Sequence, residues 1–195
     1  MNYVKLWFTA YVNPRRFADE LKKAPAPSWG FLAALQRGLM DSLLIYLPVY
    51  LLGRVPPTPS NLSFIPTEKY YGALIILSPL VLIAELLLSS SLMHLILRLS
   101  KRRSDIDMLL NISGFIALAI GSVIILWDAF WLVVGGMTQY SMGISHLIID
   151  IWAIAITTVA LKRILDVPAW LGILLNIAGI AVSMPLAIMF MRSPI

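Results

Sequence analysis

The sequence contains no cysteine and only two histidines among its 195 residues. Without cysteine there are no disulfides, thiolate metal sites or cysteine nucleophiles. His94 and His146 are far apart in the chain and supply too few ligands for a typical zinc centre. The chain also lacks GxSxG, HExxH and a phosphate-binding glycine loop. We therefore predict a protein that is not an enzyme and holds no cofactor or metal.

Charged residues are scarce as well. They make up 13% of the chain, and hydrophobic residues make up 59%. Soluble domains typically contain ~25% charged and ~45–50% apolar residues. This excess of apolar surface predicts one compact membrane domain. The net charge of +5 comes from basic residues at the ends of apolar segments, where lipid headgroups and topology explain them, so no nucleic-acid partner is predicted.

Five apolar segments are about as long as the ~20 residues that a bilayer requires. The predicted fold class is therefore all-α, a polytopic membrane helix bundle with five transmembrane helices and an N-terminal amphipathic interfacial helix. The membrane domain covers residues 29–195, with spans at about 29–52, 70–97, 108–134, 144–161 and 169–191.

Residues 1–28 form a predicted cytoplasmic amphipathic segment. Asn13 suits an N-cap and Pro14 suits the first helical position. Phe17, Ala18 and Leu21 then share one face of a helix whose other faces are rich in charge. This pattern predicts one or two short helices in the headgroup region, with an ordinary flexible tail as the alternative.

The distribution of lysine and arginine predicts the orientation. Eleven of these residues fall in the N-terminal segment and the second and fourth connectors, and three fall on the opposite side. By the positive-inside rule, the N-terminus is cytoplasmic and the C-terminus lies outside. The cytoplasmic edge offers a surface for anionic lipid or an acidic protein, although topology alone also explains its residues. They are Arg15, Arg16, Lys22, Lys23, Arg102, Arg103, Lys162 and Arg163.

Four acidic residues fall inside the predicted spans. Asp41 and Glu85 lie near mid-bilayer, whereas Asp128 and Asp150 each lie seven residues from the connector between the third and fourth spans. At ~1.5 Å per residue, the last two are expected at a similar depth, roughly 10 Å inside. An ionisable group at the centre of a bilayer costs ~2.5–3.5 kcal/mol on insertion scales.

Two hypotheses account for these acids. One is a proton or cation path. The other is structural: Arg37 pairs with Asp41 at i,i+4 spacing, and the remaining acids bind hydroxyls, Asn111, Asn176 or each other. The candidate polar residues are Arg37, Asp41, Glu85, Asp128, His146, Asp150 and Asn176.

Three stretches carry a family resemblance. They are the run Asn13-Pro14-Arg15-Arg16-Phe17, the proline-rich connector at 53–67, and the Trp-led segment from Trp152 to Pro168. On these stretches the chain resembles the Yip domain family, membrane proteins named for interacting with Ypt/Rab GTPases. It lacks the long polar N-terminal region of eukaryotic members and looks like a compact prokaryotic relative. The resemblance implies five spans with the N-terminus inside, in a prokaryotic cell (inner) membrane.

Two functions are consistent with these features. The first is a non-catalytic multi-pass membrane protein that binds partners or organises membrane. The alternative is a small oligomeric transporter or channel that moves protons or cations along the buried acids. The expected partners are the lipid bilayer, a membrane or cytoplasmic protein, and a second copy of the chain.

Overall fold

The computed structural model describes residues 2–23, 27–56, 62, 64–135 and 138–190. Within these ranges all regular structure is helical. Four helices are long and apolar enough to cross a membrane. They cover Thr67–Leu99, Ile106–Val134, Tyr140–Leu165 and Ala169–Phe190. The chain is therefore an all-helical protein whose long apolar helices are consistent with a multi-pass membrane protein.

The described residues form eight α-helices. The first two, at the N-terminus, have 10 residues each and are too short to cross a membrane. A π-helical turn, Ser42–Tyr46, joins α3 directly to α4, so that residues 27–51 form one helical stretch. A 3₁₀ turn, Thr67–Lys69, precedes α5. The helices are α1 Tyr3–Val12, α2 Pro14–Lys23, α3 Pro27–Asp41, α4 Leu47–Leu51, α5 Tyr70–Leu99, α6 Ile106–Val134, α7 Gln139–Leu165 and α8 Ala169–Phe190.

The boundary that differs most from the sequence prediction is the start of α7. The fourth span was predicted from residue 144, whereas the helix begins at Gln139. Thr138 and Ser141 form a capping box there, each side chain bonding the backbone N–H of the other, which stabilises the additional first turn. The connector after α6 is correspondingly shorter than predicted. The predicted end of the last span, residue 191, lies outside the described residues.

The π-helical turn ends at Tyr46, two residues before Pro48. Proline has no N–H to donate, and its ring collides with the carbonyl group four residues earlier in a regular α-helix. A π turn widens the helix at this point and is a common way to accommodate such a break. The turn lies directly after Asp41, one of the predicted buried acids.

The long helices pack with α6 at the centre. An apolar 18-residue segment of α6 is 67% buried within the bundle, compared with 28%, 22% and 17% for the corresponding segments of α5, α7 and α8. The stretch 27–51 runs parallel to α6, and α5 runs antiparallel to both. α7 packs beside α6, and α8 packs against α5 and α7.

Glycines set the contact between α3 and α6. A Cβ on Gly114 would overlap the backbone of Gly30, and a Cβ on Gly30 would overlap the carbonyl group of Leu110. Small residues of this kind allow two helix backbones to approach closely. Asn111 completes the contact, because its Oδ1 accepts a hydrogen bond from the N–H of Gly30 at 2.8 Å. That N–H belongs to the first turn of α3, so the hydrogen bond joins the start of α3 to α6.

The N-terminal helices α1 and α2 pack against the bundle. The face predicted to meet headgroups instead enters the main apolar core, where Phe17 meets Phe115 edge-on with ring centroids 5.9 Å apart. Contact with α6 and α7 covers the same apolar surface that lipid would otherwise cover. The fully buried residues of the two helices are Leu6, Ala10, Phe17, Ala18 and Leu21.

Polar contacts hold α2 in place. The Arg163 Nη1 donates to both carboxylate oxygens of Asp19, at 2.6 and 2.7 Å. Glu20 accepts from Arg16 at 3.0 Å and pairs with Lys5 at 3.2 Å. Hydrogen bonds from Arg16 and Lys5 lower the pKa of Glu20 below its ordinary value. The Asp19 pair ties α2 to the end of α7, and the pair of Glu20 with Lys5 ties α2 to α1.

We call this part of the bundle the basic end. It comprises α2, the C-terminal ends of α5 and α7, and the N-terminal ends of α6 and α8. All eight basic residues predicted for one edge lie here, and each is exposed. They are Arg15, Arg16, Lys22, Lys23, Arg102, Arg103, Lys162 and Arg163.

Candidate functional site

Arg37 and Asp41 form an ion pair one turn apart on α3. Both residues are buried, with 8% and 6% of their surface exposed. The Arg37 side chain lies across Gly121 of α6, where any Cβ would overlap its Nε and Cδ atoms. The missing side chain at Gly121 thus provides the space that the guanidinium stem occupies. A buried pair can be tolerated in an apolar interior because the two charges offset one another.

Glu85 brings a third charge to this region from α5. It lies close enough to Arg37 and Asp41 for both charges to act on it. Its Oε1 atom is buried and has no hydrogen-bond partner among the described residues. When all three groups are ionised, the cluster carries a net charge of −1. The structure therefore groups three of the seven predicted polar residues on two adjacent helices.

A second polar contact joins α6 to α7. The Asp128 Oδ1 and the His146 Nε2 are 2.8 Å apart and share a hydrogen bond. One residue before each, the Trp127 Nε1 donates to the Ser145 Oγ at 3.0 Å. These adjacent contacts fix the register of the two antiparallel helices.

Asp150 is not level with Asp128, contrary to the sequence prediction. His146 occupies the position opposite Asp128. Because α7 begins early, Asp150 lies roughly 16 Å from the start of its helix, whereas Asp128 lies roughly 9 Å from the end of α6, at ~1.5 Å per residue. Asp150 is exposed, and its neighbours on that face, Leu147 and Ile151, are both 59% exposed.

The two polar pairs are near enough for their charges to interact without a direct contact. The charge of Asp128 acts on Asp41, and the charges of Arg37 and Asp150 act on His146. Ionisable groups therefore follow one another from α5 through α3 and α6 to the exposed side of α7. Six of the seven residues predicted from the sequence belong to this connected region. They are Arg37, Asp41, Glu85, Asp128, His146 and Asp150.

The seventh residue, Asn176 of α8, lines a cavity together with Glu85. The cavity has a volume of ≈ 170 Å³ and lies between α5, α6 and α8. Asn176 donates to the carbonyl oxygen of Gly172 in its own helix at 2.7 Å. Neither Asn176 nor Asn111 bonds a buried acid among the described contacts, so the hydrogen bonds proposed for them in the structural hypothesis are not formed.

Sequence reasoning missed this cavity. Its serines, Ser89, Ser113 and Ser183, are spread over three helices and have no common spacing. Nothing in one helix marks them as neighbours, because the cavity arises only where the three helices meet. Glu85 and Asn176 were the two residues of the cavity that the sequence had indicated, Glu85 by its cost in a membrane.

The basic end divides into two parts. Asp19 binds Arg163, Glu20 binds Arg16, and the Lys22 Nζ donates to the carbonyl oxygen of Arg163 at 3.4 Å. These contacts use basic groups to hold the N-terminal helices. Arg102 and Lys162 instead line an open depression together with Asp166 and Trp170. Among the described residues there is no cluster of three or more His, Asp or Glu side chains placed to hold a metal ion.

No protein-family model matches this chain, and no significant match is found among curated proteins or solved structures. The class of protein is thus defined by its fold: the described residues form helices as their only regular structure, and four of these helices are long and apolar. The resemblance to the Yip domain family stays a prediction from the sequence.

Proposed function

We propose that this chain is a Yip-like, non-catalytic membrane protein with five spans, which binds another membrane protein through the side of α7. The fifth span is the helical stretch 27–51, which packs antiparallel to α5. At ~1.5 Å per residue it is roughly 37 Å long, enough to cross a bilayer. The pairing of Arg37 with Asp41 offsets the two charges that it carries.

The positions of the basic residues support the orientation of this bundle. The exposed lysines and arginines gather at the basic end, with Arg54 and Lys69 at the other end of their helices. By the positive-inside rule, the basic end faces the cytoplasm. The charged side of α2 then lies where the headgroups of the inner leaflet begin, which suits an amphipathic interfacial helix in a prokaryotic cell membrane.

Asp150 is the observation that carries the partner-binding proposal. It is exposed on an otherwise apolar surface, which we call the α7 face and define by Ile144, Leu147, Ile148, Asp150, Ile151 and Trp152. A carboxyl group that faces lipid inside a span costs ~2.5–3.5 kcal/mol on insertion scales. A partner that covers this face and donates to Asp150 removes the cost.

The chemistry of Asp150 indicates the kind of partner. His146 is the titratable group whose charge acts on Asp150, and it already binds Asp128. A two-fold contact between copies centred on Asp150 would oppose two identical carboxyl groups. We therefore infer a different protein, with a transmembrane helix that presents a lysine, arginine, histidine or hydroxyl donor at this depth.

Photo-crosslinking in native membranes tests the proposal. A photoreactive residue at position 151 is expected to give a discrete adduct with one membrane protein, and Asp150→Leu should reduce that adduct at least fivefold. The same probe at Ile177, on the exposed side of α8, is the control and should give no such adduct. Mass spectrometry identifies the partner, and removal of its donor side chain should reproduce the loss.

Three results would contradict the proposal. Adducts with lipid alone would mean that the α7 face is a plain lipid-facing surface. Adducts with a second copy of the chain would establish a homo-oligomer in place of a different partner. An adduct that persists unchanged in Asp150→Leu would remove the proposed role of the carboxyl group.

A transporter or channel is the second candidate function. The linked series from Glu85 through Arg37 and Asp41 to Asp128 and His146 favours it. Purified protein in liposomes should then carry protons or cations down an imposed gradient, and Glu85→Gln should abolish the flux. Glu68→Gln is the matched control, because Glu68 is exposed before α5. Absence of flux under every gradient would eliminate this candidate.

A further inference from the structure

The cavity between α5, α6 and α8 combines one carboxyl group with small polar groups and an apolar wall. The cavity is open at its rim, where Ile180 is exposed, and its ≈ 170 Å³ is close to the size of an engineered cavity of ~150 Å³ that binds benzene. A ligand of about six non-hydrogen atoms would therefore fit. The polar residues are Glu85, Ser89, Ser113, Asn176 and Ser183, and the larger apolar ones are Leu82, Leu86, Met93 and Ile180.

The polar groups of this cavity offer mainly acceptors. The Ser89 hydroxyl donates to the carbonyl oxygen of Glu85 at 2.8 Å, and the Ser183 hydroxyl donates to that of Gly179 at 3.1 Å. Each hydroxyl has a single hydrogen, so both oxygens retain lone pairs for a ligand. Asn176 directs its amide nitrogen to its own helix, which leaves Oδ1 as an acceptor.

The net charge of the region also favours a ligand that is a cation. Glu85 lines the cavity, and no described lysine, arginine or histidine does so. Arg37 is paired with Asp41, so the ionised cluster keeps one uncompensated negative charge. One monovalent cation would neutralise it.

We propose that this cavity binds a small protonated primary amine. A primary ammonium group has three N–H donors, which match Glu85 and the hydroxyl acceptors of Ser89 and Ser183. A short alkyl chain fills the apolar remainder beside Leu86. An alkali ion would leave most of the volume and the apolar wall without contacts. This inference goes beyond partner binding, because it does not depend on what covers the α7 face.

Calorimetric titration of the purified full chain in detergent tests the site, with n-butylammonium chloride as the probe. Saturable binding of n-butylammonium is expected. The neutral analogue n-butanol and sodium chloride, at the same concentrations, should give no saturable heat. Equal binding of n-butanol would show an apolar pocket without charge recognition, and equal binding of sodium would show a simple cation site. Either result, or no binding of the amine, overturns the proposal.

Variants locate the binding in the chain. Glu85→Gln should weaken the affinity for n-butylammonium at least tenfold, and Glu68→Gln should leave it unchanged. Ala117→Leu retains the carboxyl group and adds bulk to the cavity wall, so it should also weaken binding at least tenfold. This second variant keeps the test decisive if Glu85→Gln does not fold. Affinity that survives in the folded variants would place the amine elsewhere and contradict the proposal.

Discussion

The two sides of α6 are packed in different ways. On the side of α3, Gly30 and Gly114 bring the backbones into direct contact, and Arg37 lies across Gly121. On the side of α7, the helices are joined by side-chain hydrogen bonds such as that between Asp128 and His146. Gly143, an exposed residue of α7, has nothing within 4 Å of the position that a Cβ would take and offers a position without close contact.

The difference shows that the apolar character of a helix does not determine how much of it is buried within the bundle. Both α6 and α7 are long and apolar enough to cross a membrane. Nevertheless, the apolar 18-residue segment of α6 is 67% buried within the bundle and that of α7 only 22%. Lipid tails are as apolar as leucine side chains, so hydrophobicity alone does not bring helices together in a bilayer. Small residues that allow close contact select α3 as the tightly packed neighbour of α6.

The largest effect is expected from Arg37→Leu, on the closely packed side. This change leaves Asp41 buried without its partner, and breaking a buried pair typically costs ~3–5 kcal/mol. The double variant Arg37→Leu/Asp41→Leu removes both charges and should be clearly more stable than the single variant. Reversible unfolding in mixed micelles, followed by tryptophan fluorescence, measures the free energy of unfolding of both variants.

Equal destabilisation by the single and double variants would mean that the loss comes from packing rather than from an uncompensated charge. The closely packed side would then owe its stability to shape alone. Arg37→Lys is a useful control, because it retains the positive charge with a side chain of different shape.

A smaller effect is expected from glycine replacement, and it tests the comparison directly. Gly114→Leu forces α3 away from α6 and should destabilise the bundle by ~1–3 kcal/mol, as overpacking typically does. Gly143→Leu makes the same change where space is open and should stay within about 0.5 kcal/mol of the parent. The same unfolding measurement compares the two variants. Similar losses for both would show that the loss in Gly114→Leu does not come from the close contact with α3.

Parts of this structure could be predicted from residue spacing within one helix. The separation of Arg37 and Asp41 by four residues places them on one face, where they form an ion pair. The pattern of Phe17, Ala18 and Leu21 similarly defined the apolar face of α2. Spacing within a helix identifies a face, but it does not say whether lipid or another helix covers that face.

Features that depend on two helices at once could not be predicted in this way. The contact of Gly30 with Gly114 joins residues that are far apart in sequence. The predicted depth of Asp150 was wrong, because the N-cap at Thr138 starts α7 earlier than the apolar pattern indicates. A Thr-x-x-Ser spacing was present in the sequence, but Ser is a weaker indicator at that position than the usual Glu or Gln.

The smallest effect in this comparison is expected at the α6–α7 contact. A double-mutant cycle with Asp128→Ala and His146→Ala should give a coupling energy of ~0.6 kcal/mol, the average for interhelical hydrogen bonds in membranes, and at most ~1.7 kcal/mol. The contact is part-buried, and the His146 side chain remains 29% exposed, so each partner can find other hydrogen bonds when the first is lost. A coupling energy larger than the loss in Gly114→Leu would mean that the polar pair, and not the glycine contact, is the stronger link of α6 to its neighbours.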